Sequence, residues 1–80
     1  MPKKGLWLNM STEKHLRLTG ISEVSWKDAI ASTVAEAAKT IDYLTSLTVV
    51  EQTAKINGKK IVEYHATIDL CFTIDKDRDE

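Results

Sequence analysis

Apolar and polar residues alternate along the last third of the chain. From Ile61 to Ile74, Val62, Tyr64, Ala66, Ile68, Leu70, Phe72 and Ile74 share one parity. Glu63, His65, Thr67, Asp69, Cys71 and Thr73 share the other. A period of two over this length predicts a β-strand with one buried and one polar face. Its span would be about 46 Å at about 3.3 Å per residue. Such a strand needs a partner and a cover for its apolar side.

The partner lies just upstream. Leu47 to Ile56 is rich in Val, Thr and Ile, residues that strands favour. Asn57-Gly58 follows, a pair suited to a two-residue type I′ turn. That turn would place Ile56 opposite Lys59. It would also set Ser46 opposite Asp69, Thr48 opposite Thr67, Val50 opposite His65 and Gln52 opposite Glu63. Directly paired residues point to the same side of a sheet. Ser46, Thr48, Gln52, Glu63, His65, Thr67 and Asp69 would then form one polar face, shared with Val50, Ala54 and Ile61. Leu47 and Val49 would join Ala66 and Ile68 on the apolar face.

Earlier in the chain, His15 to Thr19 alternates briefly, with Leu16 and Leu18 inward, and reads as a first strand. Gly20 after it permits a turn. Ser25 is a good N-cap, and Asp28 three residues later brings an acidic group to the positive helix end. Trp26, Ile30, Val34, Ala37, Ile41 and Leu44 then form one apolar stripe at helical spacing, which predicts a helix from Trp26 to about Leu44. Ala29, Ala31, Ala35 and Ala38 keep that helix slim enough to lie close to a sheet. The fold class is α+β in the order β-α-β-β, a three-stranded antiparallel sheet with one helix on it. Residues 1–13 lack a sustained period and read as a mobile extension. Residues 14–75 form the domain, and 76–80 a charged tail.

Eighty residues allow one domain with a small core, so self-association is expected. A net charge of −1, with no long basic run, argues against nucleic-acid binding. No apolar stretch is long enough for a signal peptide or a membrane span, and the single cysteine, Cys71, has no internal disulfide partner. A reducing cytoplasm is the expected setting. His15 and His65 have no placed nucleophile beside them, so no enzymatic reaction is expected.

Several segments together resemble the dodecin family. They are Ser22-Glu-Val-Ser-Trp-Lys-Asp-Ala29, Ala38-Lys-Thr40, Val49-Val-Glu-Gln52, Asn57-Gly-Lys-Lys-Ile-Val-Glu-Tyr64 and Phe72. The resemblance covers roughly residues 14–75. It implies a small β-α-β-β protein that assembles into a hollow homododecamer. It also implies non-enzymatic flavin binding, of FMN or riboflavin, at two-fold interfaces between subunits. The site residues it implies are Ser46, Thr48, His65 and Thr67. Dodecins carry a flavin-stacking tryptophan where this chain has Ser46, and a glutamine where it has His65. Arginines that contact the nucleotide in some dodecins match Thr53 and Thr73. The alternative is a dodecin-like dodecamer that has lost flavin and holds another small ligand or a cation, or serves only as an assembly. For a cation, Glu63 and Asp69 beside His65 are the candidate ligands. Their oxygens suit a hard ion such as magnesium or calcium better than zinc.

Overall fold

A computed structural model describes residues 12–74. They form β1 (Thr12–Ser22), α1 (Trp26–Ala37), β2 (Leu44–Asn57) and β3 (Lys60–Ile74). The sheet is antiparallel, with β3 in the middle of the order β1-β3-β2. The expected β-α-β-β architecture is therefore present. Residues 1–11 and the tail from 75 onward lie outside the described residues. Thr12 and Glu13, read above as extension, belong to β1.

The helix begins where the cap predicts. The Ser25 hydroxyl accepts a hydrogen bond from the Asp28 backbone amide at 2.9 Å. The Asp28 carboxylate does not return to Ser25; it accepts from the Ser22 hydroxyl at 2.7 Å. The helix ends at Ala37, about two turns before the expected Leu44. Turns through Thr40 follow, and Tyr43 takes a left-handed backbone with φ 63°. That conformation reverses the chain into β2, a task usually given to glycine. Ile41 and Leu44 still join the core, from the loop and the strand rather than from a helix.

Gly20 is not a turn residue. It lies within β1, opposite Ala66. A Cβ there would overlap the Thr33 hydroxyl and stand 2.6 Å from the Ala29 carbonyl oxygen. Glycine is thus required because the helix backbone crosses the strand at this point. Ala29 and Ala66, both buried, complete the close approach. Farther along, Ile68 and Leu70 are fully buried against Leu18, Ile30, Val34, Ala37, Ile41 and Leu44.

The β2–β3 register departs from the expectation at the turn and at three bulges. Asn57 pairs with Lys60, so the turn encloses Gly58-Lys59. Only Gly58 has positive φ, at 69°, which fits a type II′ rather than a type I′ turn. The pairing then slips at Val62, Val50 and Thr45, each an extra residue in its strand. Thr48 faces Asp69, Ser46 faces Cys71, Glu51 faces Thr67, Thr53 faces His65 and Lys55 faces Glu63. Gln52 is opposite Ala66 and Ala54 opposite Tyr64, both on the helix side, contrary to the expected polar placement. Val50 is the bulged residue rather than the partner of His65, and Ile61 pairs with Ile56.

α1 lies over β1 and β3 and leaves most of β2 uncovered. Trp26 is the side chain that reaches across. Its indole N–H donates to the Thr53 carbonyl at 2.8 Å, and its ring meets Tyr64 edge-on at 4.9 Å. Trp26 is half-buried. Twelve helical residues span only about 18 Å of strands that run to nearly 50 Å. The result is a slab of 63 × 20 × 14 Å with a radius of gyration of 17.1 Å. A compact domain of this length has about 12 Å. Leu47, Val49, Ile56 and Ile61 remain exposed in one chain, Ile56 at 65%. Among the described residues no helix is long and apolar enough to cross a membrane.

Candidate functional site

The face of the sheet away from the helix carries the chemistry. Strand pairing arranges it in rows from β1 through β3 to β2. The rows are His15–Cys71–Ser46, Arg17–Asp69–Thr48, Thr19–Thr67–Glu51 and Ile21–His65–Thr53. Lys55 and Glu63 extend the series toward the hairpin. Ser46, Thr48, His65 and Thr67 therefore share one face, as the alternation predicts. They do not make one compact pocket. Ser46 and His65 lie three rows apart, six residues along β3, or about 20 Å.

Each row has its own bonding. Arg17 donates from Nε to Asp69 Oδ1 at 2.7 Å and from Nη2 to Oδ2 at 3.0 Å. This fork leaves both carboxylate oxygens engaged. By its hydrogen bonds, against a smaller desolvation and helped by its charge, Arg17 holds Asp69 below the usual carboxylate range. Asp69 in turn raises Arg17. One row on, the Thr19 and Thr67 hydroxyls meet at 2.8 Å. Glu63 Oε1 stands 3.0 Å from His65 Nε2. A cavity of about 200 Å³ opens beside His65, lined also by Thr53, Ala54 and Lys55.

Of the residues considered for a hard cation, Glu63 and His65 meet, and Asp69 lies apart from them in one chain. Glu63 is engaged with His65. Asp69, four residues from His65 and about 13 Å along the strand, is engaged with Arg17. A different group is clustered at the other end of the face. Cys71 Sγ lies 3.3 Å from His15 Nδ1, and His15 Nε2 lies 3.9 Å from Glu13 Oε1. The sequence offers no local sign of this cluster. Cys71 is 56 positions from His15 and meets it only through the β1–β3 register.

Aromatic rings are unevenly divided between the faces. Trp26 and Tyr64 are together on the helix side. Among the described residues, His15 and His65 supply the only rings along the polar rows. Among the described residues, a ligand on this face would meet hydroxyls, charges and imidazoles, and no indole.

A three-stranded antiparallel sheet with one helix on it, in the order β-α-β-β, places the chain in a small α+β class. The family profile of dodecin matches residues 12–75, and the chain belongs to the dodecin family. Solved structures agree. A tryptophan-to-phenylalanine mutant of Thermus thermophilus dodecin is 27% identical, covering 82% of this chain and 98% of that one, with TM-score 0.78. The dodecin of Streptomyces davaonensis shares the fold with TM-score 0.77 and 24% identity, covering 84% of this chain and 98% of that one. A calcium-chelating antigen of Mycobacterium tuberculosis, a calcium dodecin with a novel calcium-binding site, is 27% identical. It covers 82% of this chain and 94% of that one, with TM-score 0.71. No curated protein matches the sequence.

Proposed function

We propose that the protein is a non-enzymatic ligand-holding shell. Twelve chains close into a hollow homododecamer and hold a flavin, FMN or riboflavin, on their polar sheet faces for storage in the cytoplasm. The observation that carries this reading is the open polar face in a chain of the dodecin family. Among the described residues one sheet face has a helix and the other has none. The rows of Ser46 and His65 are too far apart in one chain for a single isoalloxazine ring to touch both. Two chains placed face to face in opposite directions would set Ser46 of one near His65 of the other. That arrangement matches flavin binding at a two-fold interface. Exposed Leu47, Val49, Ile56 and Ile61 supply the apolar area that assembly would cover.

Serine at position 46 lowers the expected affinity. An aromatic stack contributes about 0.5–1.5 kcal/mol beyond the area it buries. Each 1.4 kcal/mol is about tenfold in affinity. Binding is therefore expected to be weak beside that of a tryptophan-bearing dodecin. On this reading His65, which lines the 200 Å³ cavity, meets the ring edge.

A second reading keeps the shell and replaces flavin with a cation or another small ligand. It is favoured by the lack of an indole among the described residues of the polar rows, and by the likeness to the calcium dodecin. Titration of the purified protein with riboflavin and FMN, followed by flavin fluorescence, separates the two. Quenching that saturates near one flavin per chain is expected. Unquenched flavin at submillimolar protein overturns the flavin reading and leaves the second.

A further inference from the structure

We propose that Glu13, His15 and Cys71 form a binding site for a borderline divalent transition-metal ion of the zinc class. The site lies on the polar face at the start of β1, and it does not depend on the flavin reading. His15 pairs directly with Cys71, and Glu13 precedes His15 by two residues on the same side of β1. Their ligand atoms all lie within 4.8 Å of one another. Cys71 Sγ stands 3.7 Å from His15 Nε2, which stands 3.9 Å from Glu13 Oε1.

These separations are those of a tetrahedral metal site before it contracts. With Zn–S near 2.3 Å and Zn–N near 2.0–2.1 Å, a sulfur and a nitrogen at tetrahedral corners are about 3.5 Å apart. An imidazole nitrogen and a carboxylate oxygen are slightly closer. His15 and Glu13 are about 60% exposed, so both can move the few tenths of an ångström required. Cys71 sits half-buried on the central strand and fixes the position of the sulfur. The trio supplies three corners. The fourth is left to water, or to a group from a second chain.

The donor set chooses the ion. One thiolate and one imidazole favour zinc or cobalt over calcium and magnesium, which take oxygen ligands. Asp69, in the next row of the described face, has both carboxylate oxygens engaged by Arg17 and stays out of the set. Binding converts the Cys71 thiol to thiolate, and its proton goes to solvent. This chemistry differs from a hard-cation site built on Glu63 and Asp69, and it uses different residues.

Cobalt(II) makes the test direct. The full chain, stripped with a chelator and kept reduced, is titrated with Co²⁺ while the near-ultraviolet thiolate charge-transfer absorption is followed. One equivalent per chain is expected to produce the band, and zinc to abolish it by displacement. A large excess of calcium should leave it unchanged. Cys71→Ser should remove the band entirely, with the circular dichroism and assembly mass unchanged. His15→Ala should weaken binding by more than about tenfold, since even outer-shell partners cost 10–100-fold. Glu13→Gln should weaken it less. Absence of the band, displacement by calcium, or a band indifferent to His15→Ala would each overturn the proposal.

Discussion

β3 presents two faces whose side chains interleave along one backbone yet behave differently. Ala66, Ile68 and Leu70 are buried beneath the helix. Thr67, Asp69 and Cys71, between and beside them, are only half-buried and pair laterally with Thr19, Arg17 and His15. The covered face is held by apolar burial, worth about 25 cal/mol per Å² removed from water. The open face is held by exposed polar pairs, each worth little in one chain. Stability is thus concentrated on one side, which leaves the other side free to vary in chemistry. A small polar residue such as Ser46 is tolerable to the fold on that side for that reason.

The sharpest break of this contrast compares neighbours on β3. Ile68→Ala should destabilise the protein by about 2–5 kcal/mol, as for a large residue removed from a packed core. Thr67→Ala, one residue away, should cost only about 0.5–1.5 kcal/mol for its hydroxyl pair. Denaturant unfolding at one fixed protein concentration measures both. Equal losses would mean that the two faces are not energetically distinct.

Gly20→Val attacks the covered face from the strand side. The new side chain would enter the helix backbone at Ala29, so a loss of about 1–3 kcal/mol or more is expected. The same unfolding experiment reads it. Undiminished stability would show that the helix does not press on β1 at this point.

Ser46→Trp sharpens the open face instead. A ring there should tighten flavin binding by about tenfold or more, with little change in unfolding, because the position is exposed. An unchanged dissociation constant would remove Ser46 from the ligand site.

The smallest effect concerns the Arg17–Asp69 pair. Asp69 titrates lower in the folded chain than in the unfolded one, where carboxylates titrate near about 4. The pair therefore adds stability above that range and loses it as pH falls through the lowered Asp69 value. Both groups are solvated, so the contribution is slight. Arg17→Ala should flatten this part of the acid limb of stability against pH. An acid limb identical to that of the parent would leave the pair without a role.

Much of the architecture was legible because one signal is strong. Fourteen alternating residues on β3 fix which side chains face the helix, and the Ser25 cap fixes where the helix begins. The end of the helix was not legible. The apolar stripe continues through Ile41 and Leu44, which reach the same core from a loop and a strand. Nor were the bulges. Moving the turn by one residue at each side shifts the pairing by two and preserves the faces. The extra residue at Val62 then inverts the parity of β2, and the one at Val50 restores it. Between them, Glu51, Thr53 and Lys55 turn to the polar face, while Gln52 and Ala54 turn away. Placement of Ser46, Thr48, His65 and Thr67 survived because they lie outside the inverted stretch or on β3 itself. The Glu13–His15–Cys71 cluster required the β1–β3 register, which the short alternation of His15 to Thr19 does not determine.

The central claim is that a slab with one covered face is completed by other copies of itself. The mass of the purified protein in sedimentation velocity at micromolar concentration tests it most directly. A single species with the mass of twelve 9.0 kDa chains is the predicted result. A stable, folded species at 9.0 kDa would contradict it, for the open face would then be a solvated surface rather than part of an assembly.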